Sequence, residues 1–206
     1  RERCNKKMTL KLGIVGCGGM GFRHMQGISE VMRHSNIAKL EAICDLHEEA
    51  ANHVADEAEK NNGYRPKIYT DFDSMISESG IDILDIVTDT KTHHVFAIKA
   101  MNKGISVLTE KPMGITLKAC RKMKDVQEKN NVKLAVAENY RRDPMNRLVK
   151  ALIDEGAIGD LQMVIDVSVS GGGYLMHGTG WRAKKSLAGS LILEQGVHTS
   201  DLILYF

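Results

Sequence analysis

Short apolar segments alternate with amphipathic segments along the first two thirds of this chain. Segments with strand character are expected at 10–15, 39–44, 67–69, 83–87, 105–108 and 133–136, and helices are expected at 20–33, 47–60, 71–77, 92–102 and 117–130. Strands that alternate with helices form a parallel sheet with right-handed crossovers, because each helix must return the chain to the edge where the next strand begins. The sequence therefore predicts an α/β fold built on a doubly wound parallel sheet.

A glycine-rich turn joins the first predicted strand to the first predicted helix. Gly16, Gly18 and Gly21 fill the three positions of G-x-G-x-x-G, with Gly19 and Met20 between them. The first glycine permits a tight turn, the second lets the backbone approach a pyrophosphate, and the third lets helix and strand pack closely. Phosphates would bind the free N–H groups at the positive end of the helix dipole.

Asp45 ends the second predicted strand, where a carboxylate can accept hydrogen bonds from both ribose hydroxyls of an adenosine. The alternative is an ordinary carboxylate in a solvated turn. Residues 46–49 contain no Arg or Lys that could accept a 2′-phosphate, and Asp45 would repel one. The sequence therefore predicts NAD as the cofactor in preference to NADP.

Composition excludes several other classes of protein. A net charge of +2 over 206 residues gives no broad basic field, so neither nucleic acid nor a membrane surface is expected as a partner. The basic segment 1–7 leads into a strand rather than an apolar signal region, so a cytoplasmic location is expected. The four cysteines are scattered and show no ligand spacing, so no metal is predicted. Cys17 lies in the glycine turn, where the helix dipole could lower its pKa or where it could simply fill a variable position.

The pattern changes after Glu138. A helix is expected from Pro144 to Glu155, and alternation of Met163, Ile165, Val167 and Val169 predicts a half-exposed strand over 161–168 in an open, mainly antiparallel sheet. A glycine-rich loop and a final helix over 191–206 follow. We therefore expect a dinucleotide-binding domain over 1–139 and part of an α/β domain over 140–206.

Two further segments carry residues suited to proton transfer. Lys111, within Glu110-Lys111-Pro112, follows the fifth strand and could hold a substrate oxygen that develops negative charge. Glu194 and His198 are four residues apart on the last predicted helix, so the carboxylate could orient the imidazole as a general base. The alternatives are a surface lysine before a proline and a solvated acid–histidine pair.

Together these motifs resemble those of the Gfo/Idh/MocA oxidoreductases. The resemblance rests on the glycine turn, Asp45 and four further motifs: Thr88-x-x-x-x-His93, Glu110-Lys111-Pro112, Asn139-Tyr140-Arg141 and Gly196-x-His198-x-x-Asp201. It implies an NAD-binding Rossmann domain followed by an α/β domain whose open sheet lines the substrate site. It also implies a sugar, polyol or cyclitol substrate and a homo-oligomer.

The resemblance also implies roles for individual residues. Lys111 would lie beside the nicotinamide with a cis Lys111–Pro112 bond, and His198 would take the hydroxyl proton with Glu194 as its partner. Thr88, His93 and Glu110 would join the glycine turn and Asp45 in binding the cofactor. The residues expected to line the nicotinamide and substrate pocket are Tyr140, Arg141, Trp181, Arg182 and Asp201.

Two departures from the family pattern are evident. Asp89 and Thr90 stand where the family usually has Pro and Asn, so contacts beside the nicotinamide are expected to differ. The chain also stops at Phe206, directly after the His198 helix, which suggests a C-terminal truncation. Three interpretations remain open besides a dehydrogenase: an NAD-dependent glycosidase of the same family, a non-catalytic NAD-binding sugar sensor, and a fragment that binds NAD without turnover.

Overall fold

The computed structural model describes residues 9–167 and 180–206. Its central feature is one parallel sheet of six strands in the order β3-β2-β1-β4-β5-β6. The strands are β1 (Leu10–Val15), β2 (Ala38–Cys44), β3 (Lys67–Tyr69), β4 (Ile83–Ile86), β5 (Ser106–Thr109) and β6 (Leu134–Val136). The predicted doubly wound parallel sheet is confirmed.

Helices cover both faces of this sheet. The helices are α1 (Gly19–His34), α2 (Glu48–Asn62), α3 (Phe72–Glu78), α4 (His93–Met101), α5 (Leu117–Asn130), α6 (Pro144–Asp154), α7 (Lys185–Ala188) and α8 (Leu191–Tyr205), with 3₁₀ turns at Tyr140–Arg142 and Gly180–Ala183. Among the described ranges, no helix is long and apolar enough to cross a bilayer.

The core consists of two apolar layers separated by the sheet. Met25 of α1 and Val54 of α2 pack with Ile14 on one face, while Met75 of α3 and Met101 of α4 pack on the other. Successive side chains of a strand point to opposite faces, so neighbouring residues of β1 enter different layers. Each fully buried side chain of this size contributes about 1.5–3 kcal/mol. Because helices cover both faces of the sheet, a ligand can bind only at an edge of the sheet.

That edge lies at the carboxyl ends of β1 and β4, where the strand order reverses. Val15 is in register with Cys44 on one side and with Ile86 on the other, so three strand ends meet there. In open α/β sheets, ligands bind in the crevice at such a switch point. The glycine turn leaves β1 at this crevice.

The second part of the chain differs from the sequence prediction. Helix α6 begins as expected, with Pro144 in its first turn and the Asp143 side chain accepting from Met145 N at 2.8 Å. Within the described part of the chain, residues 161–167 form no strand, although the sequence predicts one over 161–168. A strand with no neighbour is not stable alone. The predicted open antiparallel sheet is therefore not present in this part of the structure, while Val169 and most of the glycine-rich loop lie outside the described residues.

Candidate active site

The glycine turn has the geometry that its spacing predicts. Gly16 has a φ of +98°, and a Cβ there would lie 2.6 Å from Val87 O, so only glycine fits between β1 and β4. A Cβ on Gly21 would lie 1.9 Å from Gly16 O, so the third glycine allows α1 to pack on the turn. Among the described residues, no atom apart from the two chain neighbours lies within 4 Å of the position that a Cβ on Gly18 would take. The open space over Gly18 fits the approach of a pyrophosphate.

Asp45 is tied to this turn by two backbone hydrogen bonds. Its Oδ2 accepts from Cys17 N at 2.7 Å, and its Oδ1 accepts from His47 N at 2.8 Å. The carboxylate is therefore oriented before a ligand binds, and each oxygen keeps a lone pair for a ribose hydroxyl. Burial and the neighbouring Asp45 raise the pKa of the Cys17 thiol, so the low pKa considered from the helix dipole is not found.

Two adjoining cavities follow the carboxyl edge of the sheet. The first, of about 340 Å³, is lined by the glycine turn, Asp45, the loop after β4 and Trp181. The second, of about 850 Å³, is lined by residues that include His24, Glu138, Tyr140 and His198. Met20, Glu110, Lys111 and Arg182 line both cavities. The two therefore form one cleft, with Lys111 where its halves meet.

Lys111 is held at this junction by the N-terminal half of α8. Its Nζ donates to Glu194 O at 2.9 Å and lies 3.8 Å from Glu194 Oε2. The side chain is 14% exposed, so the amine faces the cleft from a largely buried position. The Lys111–Pro112 bond is cis, as the resemblance implies.

His198 is held by Glu138, directly beyond β6. Its Nδ1 lies 2.7 Å and 2.8 Å from the two oxygens of Glu138, and its ring stacks on Tyr140 with the centroids 4.1 Å apart. A proton on Nδ1 that is donated to Glu138 leaves the lone pair on Nε2. Since His198 lines the larger cavity, this arrangement provides a proton acceptor inside the cleft.

The expected pairing of Glu194 with His198 is wrong. Glu194 is 2% exposed, and its Oε1 accepts from Thr90 Oγ1 at 2.9 Å. Its Oε2 lies 3.5 Å from Arg182 Nε as well as near Lys111. A buried carboxylate needs cations and donors around it, and the loop after β4 and Arg182 supply them. Glu138 takes the place beside the imidazole instead.

Successive turns of α8 thus meet successive loops of the sheet. Glu194 contacts the loops after β4 and β5, and His198 contacts Glu138 after β6. Asp201 is paired with Arg141 through Nε to Oδ2 at 2.5 Å and Nη2 to Oδ1 at 2.8 Å. Arg141 and Asp201 line a third cavity of about 550 Å³, which adjoins the larger one through Glu138 and Arg142. Neither residue lines the two cavities that meet at Lys111, so the structure does not bring these two predicted substrate residues to that junction.

His93, expected to bind the cofactor, lies beneath the cleft. Its side chain is 1% exposed, with Nδ1 2.9 Å from Pro112 O and Nε2 3.2 Å from Thr88 O. Burial lowers the pKa of His93, so the ring is neutral and donates through one nitrogen at a time. It links the loops after β4 and β5 and lines neither cavity, whereas Thr88 and Glu110 do line the cofactor half.

Two charged residues of this cleft are missed by sequence reasoning. The sequence pattern marks Glu138 only as the end of the first domain, although it follows β6 at the ligand-binding edge. His24 lies three residues after Gly21, with Nδ1 2.8 Å from Asp85 Oδ2 and Nε2 3.0 Å from Glu110 Oε1. The sequence signal that could have identified His24 was a histidine in the first turns of α1, close to the ends of the strands. Within residues 9–167 and 180–206, no cluster of three or more His, Cys, Asp or Glu side chains could hold a metal.

The sheet order, the glycine turn and the oriented carboxylate of Asp45 together define a dinucleotide-binding Rossmann domain. Residues 10–138 match the family described as "Oxidoreductase family, NAD-binding Rossmann fold", and residues 146–206 match the Gfo/Idh/MocA C-terminal domain. The chain belongs to the Gfo/Idh/MocA oxidoreductase family.

Several known proteins are similar to this chain over most of its length. Levoglucosan dehydrogenase of Pseudarthrobacter phenanthrenivorans is 30% identical over 205 residues, covering 96% of this chain and 51% of the relative. Inositol 2-dehydrogenase 2 of Saccharopolyspora erythraea is 28% identical, covering 80% and 47%. The crystal structure of scyllo-inositol dehydrogenase from Lactobacillus casei with bound NAD(H) and scyllo-inositol aligns with a TM-score of 0.80 at 28% identity, covering 97% and 56%. The chain spans about half the length of the curated relatives it matches.

Proposed function

We propose that this protein is an NAD-dependent dehydrogenase that acts on a hydroxyl group of a sugar, polyol or cyclitol. The observation that carries the proposal is the position of Lys111 and His198, which line the same cavity where it joins the cavity of the glycine turn. The relatives named for levoglucosan and inositol support a substrate with carbinol carbons.

In the proposed reaction, NAD held by the glycine turn and Asp45 would supply the acceptor for the hydride of the carbinol carbon. Nε2 of His198 takes the hydroxyl proton, because Glu138 engages Nδ1 and leaves the Nε2 lone pair toward the cleft. Lys111 donates a hydrogen bond to the same substrate oxygen and stabilises the negative charge that develops on it. The cofactor half would be held by Gly18, whose face is open, and by the oriented carboxylate of Asp45.

Glu194 has a different role in this proposal. Because it is buried beside Thr90, Arg182 and Lys111, it holds the Lys111 amine at the junction of the two cavities rather than orienting the histidine. Trp181 and Arg182 cover the cofactor half, and Tyr140 packs against the face of the His198 ring. These contacts support a positioned hydrogen-bond donor, Lys111, and a positioned proton acceptor, His198, beside the cofactor site.

The test is a steady-state assay of NADH formation with inositol and levoglucosan as probes. We expect Lys111→Met and His198→Asn each to lower kcat/KM by about 100-fold or more, since a positioned acid or base contributes 10²–10⁴-fold. Lys122→Met changes an exposed lysine on α5, outside both cavities, and should leave kcat/KM unchanged.

Other outcomes separate the competing functions. Release of the aryl alcohol from an aryl glycoside, without net NADH formation, would favour the family's glycosidase chemistry. Cofactor binding with no turnover of any probe would favour a sensor. Full activity in Lys111→Met would remove Lys111 from the mechanism.

A further inference from the structure

His24 forms a buried bridge between two carboxylates from different strands. It donates from Nδ1 to Asp85, within β4, and from Nε2 to Glu110, directly after β5. The side chains are only 15%, 4% and 13% exposed for His24, Asp85 and Glu110, respectively. Two hydrogen bonds of this kind require both ring nitrogens to carry a proton, so the ring is an imidazolium.

His24 is positively charged because two carboxylates, Asp85 and Glu110, accept its hydrogen bonds. Burial alone would lower the pKa of His24, but the hydrogen bonds and charges of Asp85 and Glu110 outweigh burial and raise it to about 10. In the part of the chain that the structure describes, His24 gives the Asp85 side chain its one hydrogen bond, while Asp85 Oδ1 is buried without a partner. Removing the imidazolium would therefore leave two carboxylates without their cation.

The bridge continues directly to Lys111. While Glu110 Oε1 accepts from His24, Glu110 Oε2 accepts from the backbone N–H of Lys111 at 2.8 Å. Both oxygens of the Glu110 carboxylate therefore accept hydrogen bonds, one from the His24 ring and one from the backbone N–H of Lys111. This contact fixes the backbone of Lys111, while Glu194 O holds the Nζ end.

We propose that His24 is a positioning residue for Lys111, acting through Glu110 to hold the lysine backbone at the junction of the two cavities. The inference rests on the proposed function, since it assigns His24 a part in the same reaction. It adds a residue on α1, outside the Lys111, His198 and Glu138 group.

Without this bridge, the Glu110 carboxylate would be free to interfere with Lys111 or with the cofactor. Glu110 lines both cavities beside Lys111. If the Glu110 carboxylate lost its hydrogen bond to His24, it could move toward either cavity. It could pair with the Lys111 amine and remove the donor from the substrate oxygen, or it could face the phosphates of the cofactor and repel them. Other charged groups that line the larger cavity are Arg23, Glu138, Arg142, Arg182 and His198.

The experiment is a double-mutant cycle on the kinetics of NADH formation. The variants are His24→Gln, Lys111→Met and the combination, with His24→Arg as the variant that restores a cation. We expect His24→Gln to lower kcat by about 10- to 100-fold, as is typical when the partner of a functional group is removed. In the Lys111→Met background, the same change should lower kcat by less than about 2-fold, because a residue that acts through Lys111 has nothing left to position.

A control separates positioning from loss of folding stability. Met25→Ala removes a fully buried side chain from the same helix, away from both cavities, and should lower stability without lowering kcat at the assay temperature. His24→Arg should recover at least a third of the wild-type kcat. Multiplicative losses in the double variant, or a wild-type kcat in His24→Gln, would overturn the proposal.

A second measurement does not depend on turnover. The rate at which trinitrobenzenesulfonate modifies Lys111, followed by mass spectrometry of the peptide, should change at least 3-fold in His24→Gln and stay unchanged in Met25→Ala. An unchanged rate in His24→Gln would overturn the positioning role. If the wild type forms no NADH with any probe but Lys111 reactivity still responds to His24, the proposed function fails while the link between His24 and Lys111 stands.

Discussion

Two glycines of the turn have different roles: Gly21 is needed for the stability of the fold, and Gly18 is needed for cofactor binding. One alanine substitution at each position tests these roles. In Gly21→Ala, the new Cβ would lie 1.9 Å from Gly16 O, whereas ordinary contacts begin at 3.4 Å, so α1 and the turn must move apart by roughly 1.5 Å. Replacing a helical glycine by alanine gains about 1 kcal/mol, while overpacking of this kind costs about 3 kcal/mol. Because the cost of the clash exceeds the gain in helix propensity, we expect a net loss of about 2 kcal/mol in the free energy of unfolding.

Gly18→Ala should have the opposite profile. Gly18 has a φ of −70°, which alanine adopts freely, and no atom lies within 4 Å of the added Cβ, so the stability should change by less than about 1 kcal/mol. The methyl group would occupy the space where the pyrophosphate approaches, at a cost of about 1–3 kcal/mol of binding energy. Affinity for NADH should therefore fall about 10- to 100-fold.

Trp181 provides a fluorescence signal for measuring NADH affinity in these variants. It is the one tryptophan of the 206 residues, and it lines the cofactor half of the cleft, so its fluorescence reports NADH binding during a titration. Urea unfolding gives the stability of the same samples. Gly27→Ala, on α1, is the matched control: among the described residues, its Cβ would meet no atom within 4 Å outside the local backbone of the helix, and NADH affinity should stay unchanged. Wild-type NADH affinity in Gly18→Ala, or wild-type stability in Gly21→Ala, would refute the assignment of roles.

Three further predictions concern charged groups. Asp45→Ala should weaken NADH binding about 10-fold and reduce the preference for NADH over NADPH, as measured by the same titration; an unchanged preference would contradict the ribose contact. Glu138→Gln should lower kcat about 10- to 100-fold, because His198 loses a charged partner; equal kcat values would exclude that partnership. The folded-state pKa of His24 is about 10, above its ordinary value of 6.5, so its contribution to stability is complete below pH 6.5 and is lost as the pH rises toward 10. Urea unfolding of wild type and His24→Gln should therefore differ by about 3 kcal/mol at pH 6 and by much less at pH 10, and a constant difference would contradict the buried bridge.

Local signals predicted the sheet and its helices well. The predicted bounds of α5 coincide with the observed Leu117–Asn130, because Thr116 caps its first turn and Asn131 ends it in the left-handed conformation. The glycine spacing likewise predicted the dinucleotide site, since Gly16 and Gly21 have no room for a Cβ and Gly18 leaves open space for a phosphate. In contrast, alternation over 161–168 predicted a strand that is not seen in the described residues 161–167, because an alternating pattern marks a half-exposed face but does not provide the neighbouring strand that a sheet needs.

Which side chains pair with one another in the candidate active site could not be predicted from their spacing in the sequence. Glu194 and His198 are four apart on one helix, and that spacing suggested a pair, but tertiary docking decides which groups they meet. His198 meets Glu138, 60 residues away, because α8 crosses the strand ends in a fixed order. The same holds for His24, whose two partners belong to β4 and to the loop after β5.

We propose that this cleft moves a hydride from a carbinol carbon to NAD while His198 takes the hydroxyl proton. The most direct measurement uses inositol and levoglucosan that carry deuterium on every carbinol carbon, with mass spectrometry of the nicotinamide product. We predict that the wild type transfers deuterium to the nicotinamide and that His198→Asn, with unchanged NADH affinity, transfers it at least 100 times more slowly. Deuterium found only in solvent, or equal transfer rates in the two proteins, would contradict the account.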